Sequence, residues 1–156
     1  MSKRPQRSGN YFRPFYRRHK LRFECTQCGR CCVGGNDRHV YVSEFEAEKI
    51  RLALGVGRSW FRKRYTALTG EGDYVLQSRG ERCVFLQSDG TCRVYTARPT
   101  QCSSYPFWPE IVKTARTWKR EAGRCEGIGR GKTVSVREIE MKLLGAGDPD
   151  DGKSVK

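Results

Sequence analysis

The chain has 156 residues, with 31 Lys and Arg against 17 Asp and Glu, a formal charge of +14 and eight cysteines. That length suits one domain with its own core plus terminal extensions, and is too short for two ordinary domains. No apolar run reaches the roughly 18 residues of a membrane span or forms the h-region of a signal peptide, so a soluble cytoplasmic chain is expected, whose reduced thiols are available to metal rather than tied up in disulfides.

Residues 1–22 read as a flexible basic arm. They hold eight basic residues and no acid, with Tyr11, Phe12, Phe15 and Tyr16 interleaved and Pro5 and Pro14 interrupting. Basic and aromatic side chains in that mixture could pair phosphates and stack bases, or lie on an anionic membrane surface, so nucleic acid is a candidate partner through the arm. A solubilising tail whose aromatics cover the domain edge fits the composition equally well. Residues 23–145 then form the domain, and 146–156 a polar tail.

The domain opens on Cys25-x-x-Cys28-x-x-Cys31-Cys32. Thiolates two residues apart on a tight loop can converge on one ion or cluster. Gly34-Gly35-Asn36-Asp37 is a turn, and His39–Val42 alternates like a short strand. Ser43 and Glu46 make a capping box for a helix with apolar positions Phe45, Ile50 and Leu54, ended by Gly55. A second helix is expected over Ser59–Leu68, with Trp60, Phe61 and Tyr65 as core.

Asp73–Gln77 and Cys83–Gln87 are strand candidates. Ser88-Asp89-Gly90 turns the second into Thr91–Tyr95, and such a hairpin would oppose Cys83 and Cys92 across its strands. Pro99 suits the first turn of a short helix carrying Cys102, with Pro106 and Pro109 as stops. Residues 110–124 carry a weak strand signal at Thr117 and Trp118. Ser135 and Glu138 make a second capping box, for a helix through Val136, Ile139, Leu143 and Leu144 that Gly145 closes. The expected fold is a small, loop-rich, metal-stapled α+β domain with short strands, a hairpin and two or three helices.

The candidate metal ligands are Cys25, Cys28, Cys31, Cys32, Cys83, Cys92, Cys102 and Cys125. Eight soft thiolates against two histidines, His19 and His39, favour zinc or iron–sulfur over calcium, magnesium or copper(II). If all eight were bound in two four-thiolate sites, the working charge would fall to about +10. Closed zinc sites usually join two CxxC-like pairs, whereas a CxxCxxC run with distant partners is closer to ferredoxin-type ligation, so iron–sulfur is favoured and zinc is the alternative. Adjacent Cys31 and Cys32 point apart in most backbones and would serve two centres. His39 or Asp37 as a non-cysteine ligand, and a redox-active Cys31–Cys32 disulfide, are further alternatives.

Gly127-Ile128-Gly129-Arg130-Gly131-Lys132-Thr133 nearly fits a P-loop, but Glu126 occupies the first glycine position. Read with Glu126 it resembles the glycine-rich loop by which methyltransferases approach S-adenosylmethionine, although too little chain follows for a full α/β sheet. The simpler reading is a glycine turn beside Cys125 whose N–H groups reach sulfur. No catalytic triad is visible, and catalytic residues are unassigned.

The run Cys25–Cys32, then Cys83-Val84-Phe85-Leu86 with Asp89-Gly90-x-Cys92 and Tyr95, then Arg98-Pro99-x-x-Cys102 with Tyr105-Pro106-Phe107, then Cys125-x-Gly127-Ile128-Gly129, resembles the CxxCxxCC, or YkgJ-type, family of zinc- or iron-chelating proteins. The resemblance covers about Phe23 to Leu144 and includes all eight cysteines. It departs at Ser103, where Arg is expected after the third isolated cysteine. The family includes flagellin lysine N-methylases, so the resemblance also implies, as an alternative, metal-dependent lysine methyl transfer from S-adenosylmethionine. The first expectation is a metal-binding domain in which metal mainly organises the fold, with a redox or metal-handling role.

Overall fold

The structure, a computed structural model, describes residues 13–34 and 39–145. Its named strands form three antiparallel pairs: β1 (Arg22–Phe23) with β6 (Ile128–Thr133), β2 (Thr66–Leu68) with β3 (Tyr74–Leu76), and β4 (Ser78–Arg79) with β5 (Arg82–Cys83). The helices are α1 (Phe15–Arg18), α2 (Glu44–Leu54), α3 (Arg58–Tyr65), α4 (Thr100–Ser104), α5 (Pro109–Val112), α6 (Ala115–Ala122) and α7 (Val136–Gly145). The class is α+β, with more helices than the two or three expected. No helix among the described residues is long and apolar enough to cross a membrane.

Helix α2 starts and stops on its sequence signals. Ser43 and Glu46 form a reciprocal capping box, and Gly55 at φ 67° closes the helix by donating its N–H to the Arg51 and Leu52 carbonyls. Ile50 is fully buried, but Phe45, expected on the same apolar face, is 79% exposed. Glu46 has a second task, because its Oε1 accepts the Thr100 N–H at 2.7 Å and so caps α4 as well. That contact holds the Cys102 helix against α2.

The second expected helix is α3, which ends at Tyr65 rather than Leu68. Thr66–Leu68 instead pairs with Tyr74–Leu76 as a ribbon, which suits the β-branched Thr66 and lets Tyr65 stack on Phe85 at 5.0 Å. His39–Val42 joins β3 only through a Tyr41–Val75 bridge and hydrogen bonds from Val42 N and Leu76 N. Thr117 and Trp118, where the sequence signals a strand, lie in helix α6. Pro109 starts α5, and Thr114 caps α6 in a box with Thr117. That box lacks the Glu or Gln that marks the usual signature.

Two apolar clusters result. One gathers Val42, Ile50, Phe61, Tyr65, Leu76, Phe85, Val94 and Ala97. The other gathers Phe15, Leu21, Phe107, Val112 and Ile139. Phe15 and Leu21, from the segment expected as arm, pack in this second cluster. Arg17 also pairs with Glu140 on α7. Residues 1–12, 35–38 and 146–156 lie outside the described residues, and with them most of the turn expected over Gly34-Gly35-Asn36-Asp37.

Candidate metal centre

The cysteine run is a folded-back loop. Gln27 at φ 55° and Gly29 at φ 72° take left-handed conformations, and a 3-10 turn then carries Arg30–Cys32. Left-handed residues reverse the chain within a few positions, so the two ends of the run face different parts of the domain.

The first half docks on the Cys125 segment. Glu24 N donates to Gly127 O at 3.1 Å and Thr26 Oγ1 donates to Glu126 Oε1 at 2.7 Å; Arg30, beyond Gly29, also reaches Glu126 at 3.6 Å. Gly127 is required there, because a Cβ would meet the Glu24 carbonyl and come within 2.9 Å of Phe23. The second half docks on the hairpin residues. Val33 bridges Arg82, Gly34 N donates to Glu81 O at 2.9 Å, and Gly29 lies so close to the next turn that a Cβ would collide with the Gly90 carbonyl and reach 2.7 Å from Leu86. Arg124 Nη2 donates to Val33 O at 2.8 Å and ties the two docks together.

All eight cysteines line one cavity of about 720 Å³, between the two apolar clusters. Cys32 lies beside Cys31, Cys83 and Cys92, and the proximity of these sulfurs together with burial pushes its thiol strongly upward. The approach of Cys32 pulls Cys31 down to about 7 and Cys92 to about 6, against the opposing effect of burial and with help from the Arg98 guanidinium. Cys83 is lowered the same way. Cys102 goes strongly upward, from burial first and from the charges of Cys83, Cys31 and Cys92. Burial also raises Cys125, and the nearby Gly127 and Ile128 backbone N–H groups oppose it.

Three groups beside the sulfurs had no role assigned from sequence, although the family motif contains them. Arg98 lies 3.8 Å over the Tyr95 ring and donates to the Tyr95 carbonyl at 3.0 Å. Tyr95 in turn reaches the Cys25 sulfur. Tyr105 donates to Glu121 Oε1 at 2.6 Å and also reaches Cys125. Burial first, then the Glu121 bond, pushes the Tyr105 phenol strongly upward. Sequence could show these residues but not the longer-range partners of Tyr95 and Tyr105, which come from other elements.

Several expectations change. Cys92 is bridged to Leu86, and Cys83 pairs with Ser78, so the hairpin does not oppose the two cysteines in register; their contact runs through Cys32. Gly127–Thr133 is no phosphate or S-adenosylmethionine loop. Residues 128–133 form β6, and Gly131 leaves room for Glu24, whose Cβ would lie 2.5 Å from an added methyl. The turn beside Cys125 is closed by Ile128 N donating to the Cys125 carbonyl at 3.2 Å. His39 lies at the cavity rim, and Asp37 is outside the described residues. Ser103 is bonded to the Thr100 carbonyl, and the cation beside the sulfurs is Arg98. All eight cysteines are free thiols, Cys31 and Cys32 included.

Fold and site together define a small α+β domain built around a thiol-lined cavity. The chain belongs to the CxxCxxCC family, whose model, described as "putative zinc- or iron-chelating domain", matches residues 24–126. No solved structure matches the chain. The donor set fits such a metal in kind, since soft thiolates suit both zinc and iron. Among the described residues no three Cys, His, Asp or Glu side chains are grouped as they would be about an ion.

Proposed function

We propose that the protein holds iron–sulfur, with zinc as the alternative, on Cys25, Cys28, Cys31, Cys32, Cys83, Cys92, Cys102 and Cys125, and that this centre chiefly organises the fold. The observation that carries the reading is the convergence of all eight cysteines, drawn from segments up to a hundred residues apart, on one cavity. The strand pairs around that cavity run for two to six residues, which gives little independent stability. Bound metal would supply the missing cross-links and, as iron–sulfur, an electron-transfer group. Iron–sulfur is preferred because three ligands follow one another on a single loop while the rest are remote.

The chain's own groups suit that role. Arg98 offsets thiolate charge at Cys31 and Cys92, and the Gly127 and Ile128 N–H groups do the same at Cys125. Anaerobic purification with iron, sulfide and zinc determination and a visible spectrum tests the proposal. Brown protein containing iron and sulfide supports the first form, and colourless protein containing zinc the second. Protein that takes up neither on reconstitution contradicts both.

A further inference from the structure

We infer that helix α6 and strand β6 form a surface for the phosphate backbone of a nucleic-acid duplex, built on the folded domain itself and independent of the chelation reading above. Residues 113–132 hold seven Lys and Arg against two acids. Both acids are engaged elsewhere: Glu121 accepts from Tyr105 at 2.6 Å, and Glu126 accepts from Thr26 at 2.7 Å with Arg30 at 3.6 Å. Arg124 is committed to the Val33 carbonyl. Lys113, Arg116, Lys119, Arg120, Arg130 and Lys132 are exposed, and none of the six is ion-paired among the described residues.

The two elements gather these charges. In α6, Trp118 packs on Phe107, Thr117 donates to the Ile111 carbonyl and Glu121 meets Tyr105, so those three side chains face the domain. Arg116, Lys119 and Arg120, at i, i+3 and i+4, share the opposite face. Helix α6 in turn lies against β6. There Phe23 opposes Ile128 and Arg22 opposes Thr133, so residues 129–132 bulge from the ribbon, turned by Gly129 at φ 86° and Gly131 at φ 68°. The bulge carries Arg130 and Lys132. Arg22 Nε donates to its Gly131 carbonyl at 2.8 Å, which holds a seventh exposed cation beside them. Against these seven stand two exposed acids, Glu24 beside Gly131 and Glu110 on α5. No large apolar side chain is exposed between Lys113 and Thr133, so the face has nothing to insert into a lipid surface. Trp118 is packed on Phe107 and is not free to stack on unpaired bases. The regularly spaced phosphates of a duplex are the partner that such a face fits.

The test is a salt series. The anaerobically purified full chain is titrated against a short labelled DNA duplex, and against the same sequence as RNA, by fluorescence anisotropy over about 50–200 mM salt. One variant combines Arg116→Gln, Lys119→Gln, Arg130→Gln and Lys132→Gln. A second combines Lys49→Gln, Lys63→Gln, Arg64→Gln and Arg79→Gln, exposed cations of α2, α3 and β4. Both variants have the same net charge and the same N-terminal residues, so their difference reads only where charge was removed. At about 50 mM salt the first should bind about tenfold weaker or more, and its slope of log affinity on log salt should shrink by about 2–4, since each phosphate contact contributes about 0.9. The second should change the slope by less than about 1. Lys119→Gln and Lys132→Gln alone should each lower the slope by up to about 1, so the test stands even where the fourfold variant loses its fold by circular dichroism. The tighter of the two duplexes identifies the source of the phosphate. Equal losses in the two fourfold variants, or no duplex binding by the unmutated chain, would overturn the surface. Binding to phosphatidylserine vesicles in place of either duplex would make the partner a membrane and overturn the proposal too.

Discussion

Gly29→Ala tests whether the cysteine loop is held by the close approach to the Gly90 turn. Gly29 has φ 72°, and a Cβ there would collide with the Gly90 carbonyl and reach 2.7 Å from Leu86. The left-handed conformation alone costs an L-residue about 1–2 kcal/mol. Relieving the overlap requires moving backbone, because the colliding group is a carbonyl of the turn closed by Gly90 N to Gln87 O at 3.1 Å, and overpacking of that kind adds about 1–3 kcal/mol. The expected loss is therefore about 2–5 kcal/mol, a large part of a typical domain's stability. Gly55→Ala is the control. It has φ 67° and nothing within 4 Å of an added Cβ, so only the conformational cost of about 1–2 kcal/mol applies. Urea denaturation of both variants, metal-free and zinc-loaded, measures the difference. If Gly29→Ala costs no more than Gly55→Ala, the loop is not seated on the turn and the reasoning fails.

Phe107 is fully buried against Phe23 and Trp118, each at 5.6 Å, so Phe107→Ala should cost about 3–5 kcal/mol by denaturation. Ser43→Ala removes one side of the α2 capping box and should cost about 1 kcal/mol by the same assay. Burial raises the Glu46 carboxyl, but the Thr100 and Ser43 N–H groups outweigh it and leave the group below its usual 4.5. Its contribution is thus present above pH 4.5 and lost as pH falls through the folded value, and Glu46→Gln should flatten that acid limb in pH-dependent melts. In metal-free protein, Cys31 at about 7 and Cys92 at about 6 should alkylate at lower pH than Cys102. Arg98→Gln should move the onset at both upward, and an unchanged pH profile would remove Arg98 from the account.

Much of the site was legible because cysteine spacing and proline placement are local signals. The CxxCxxCC run, the Pro99-led helix with Cys102 and the Ser43–Glu46 box all appear where the residues put them. What sequence hid was set by tertiary contact. Thr117 and Trp118 favour strand by type, yet the Thr114 cap and the packing of Trp118 against Phe107 make that segment α6. The glycines of 127–133 weaken a strand signal, but Gly127 and Gly131 are there because Glu24 passes close to both. The meeting of Cys83 with Cys92 depends on Cys32, some fifty residues upstream, which no hairpin rule could supply.

The most direct test of the central claim is a thiol count. The anaerobically metal-loaded full chain is titrated with a chromogenic thiol reagent before and after chelation in denaturant. If the eight cysteines are the ligands, the loaded protein should show almost no reactive thiol, and all eight should react after chelation. A loaded protein in which half of the thiols react freely would contradict the eight-cysteine centre.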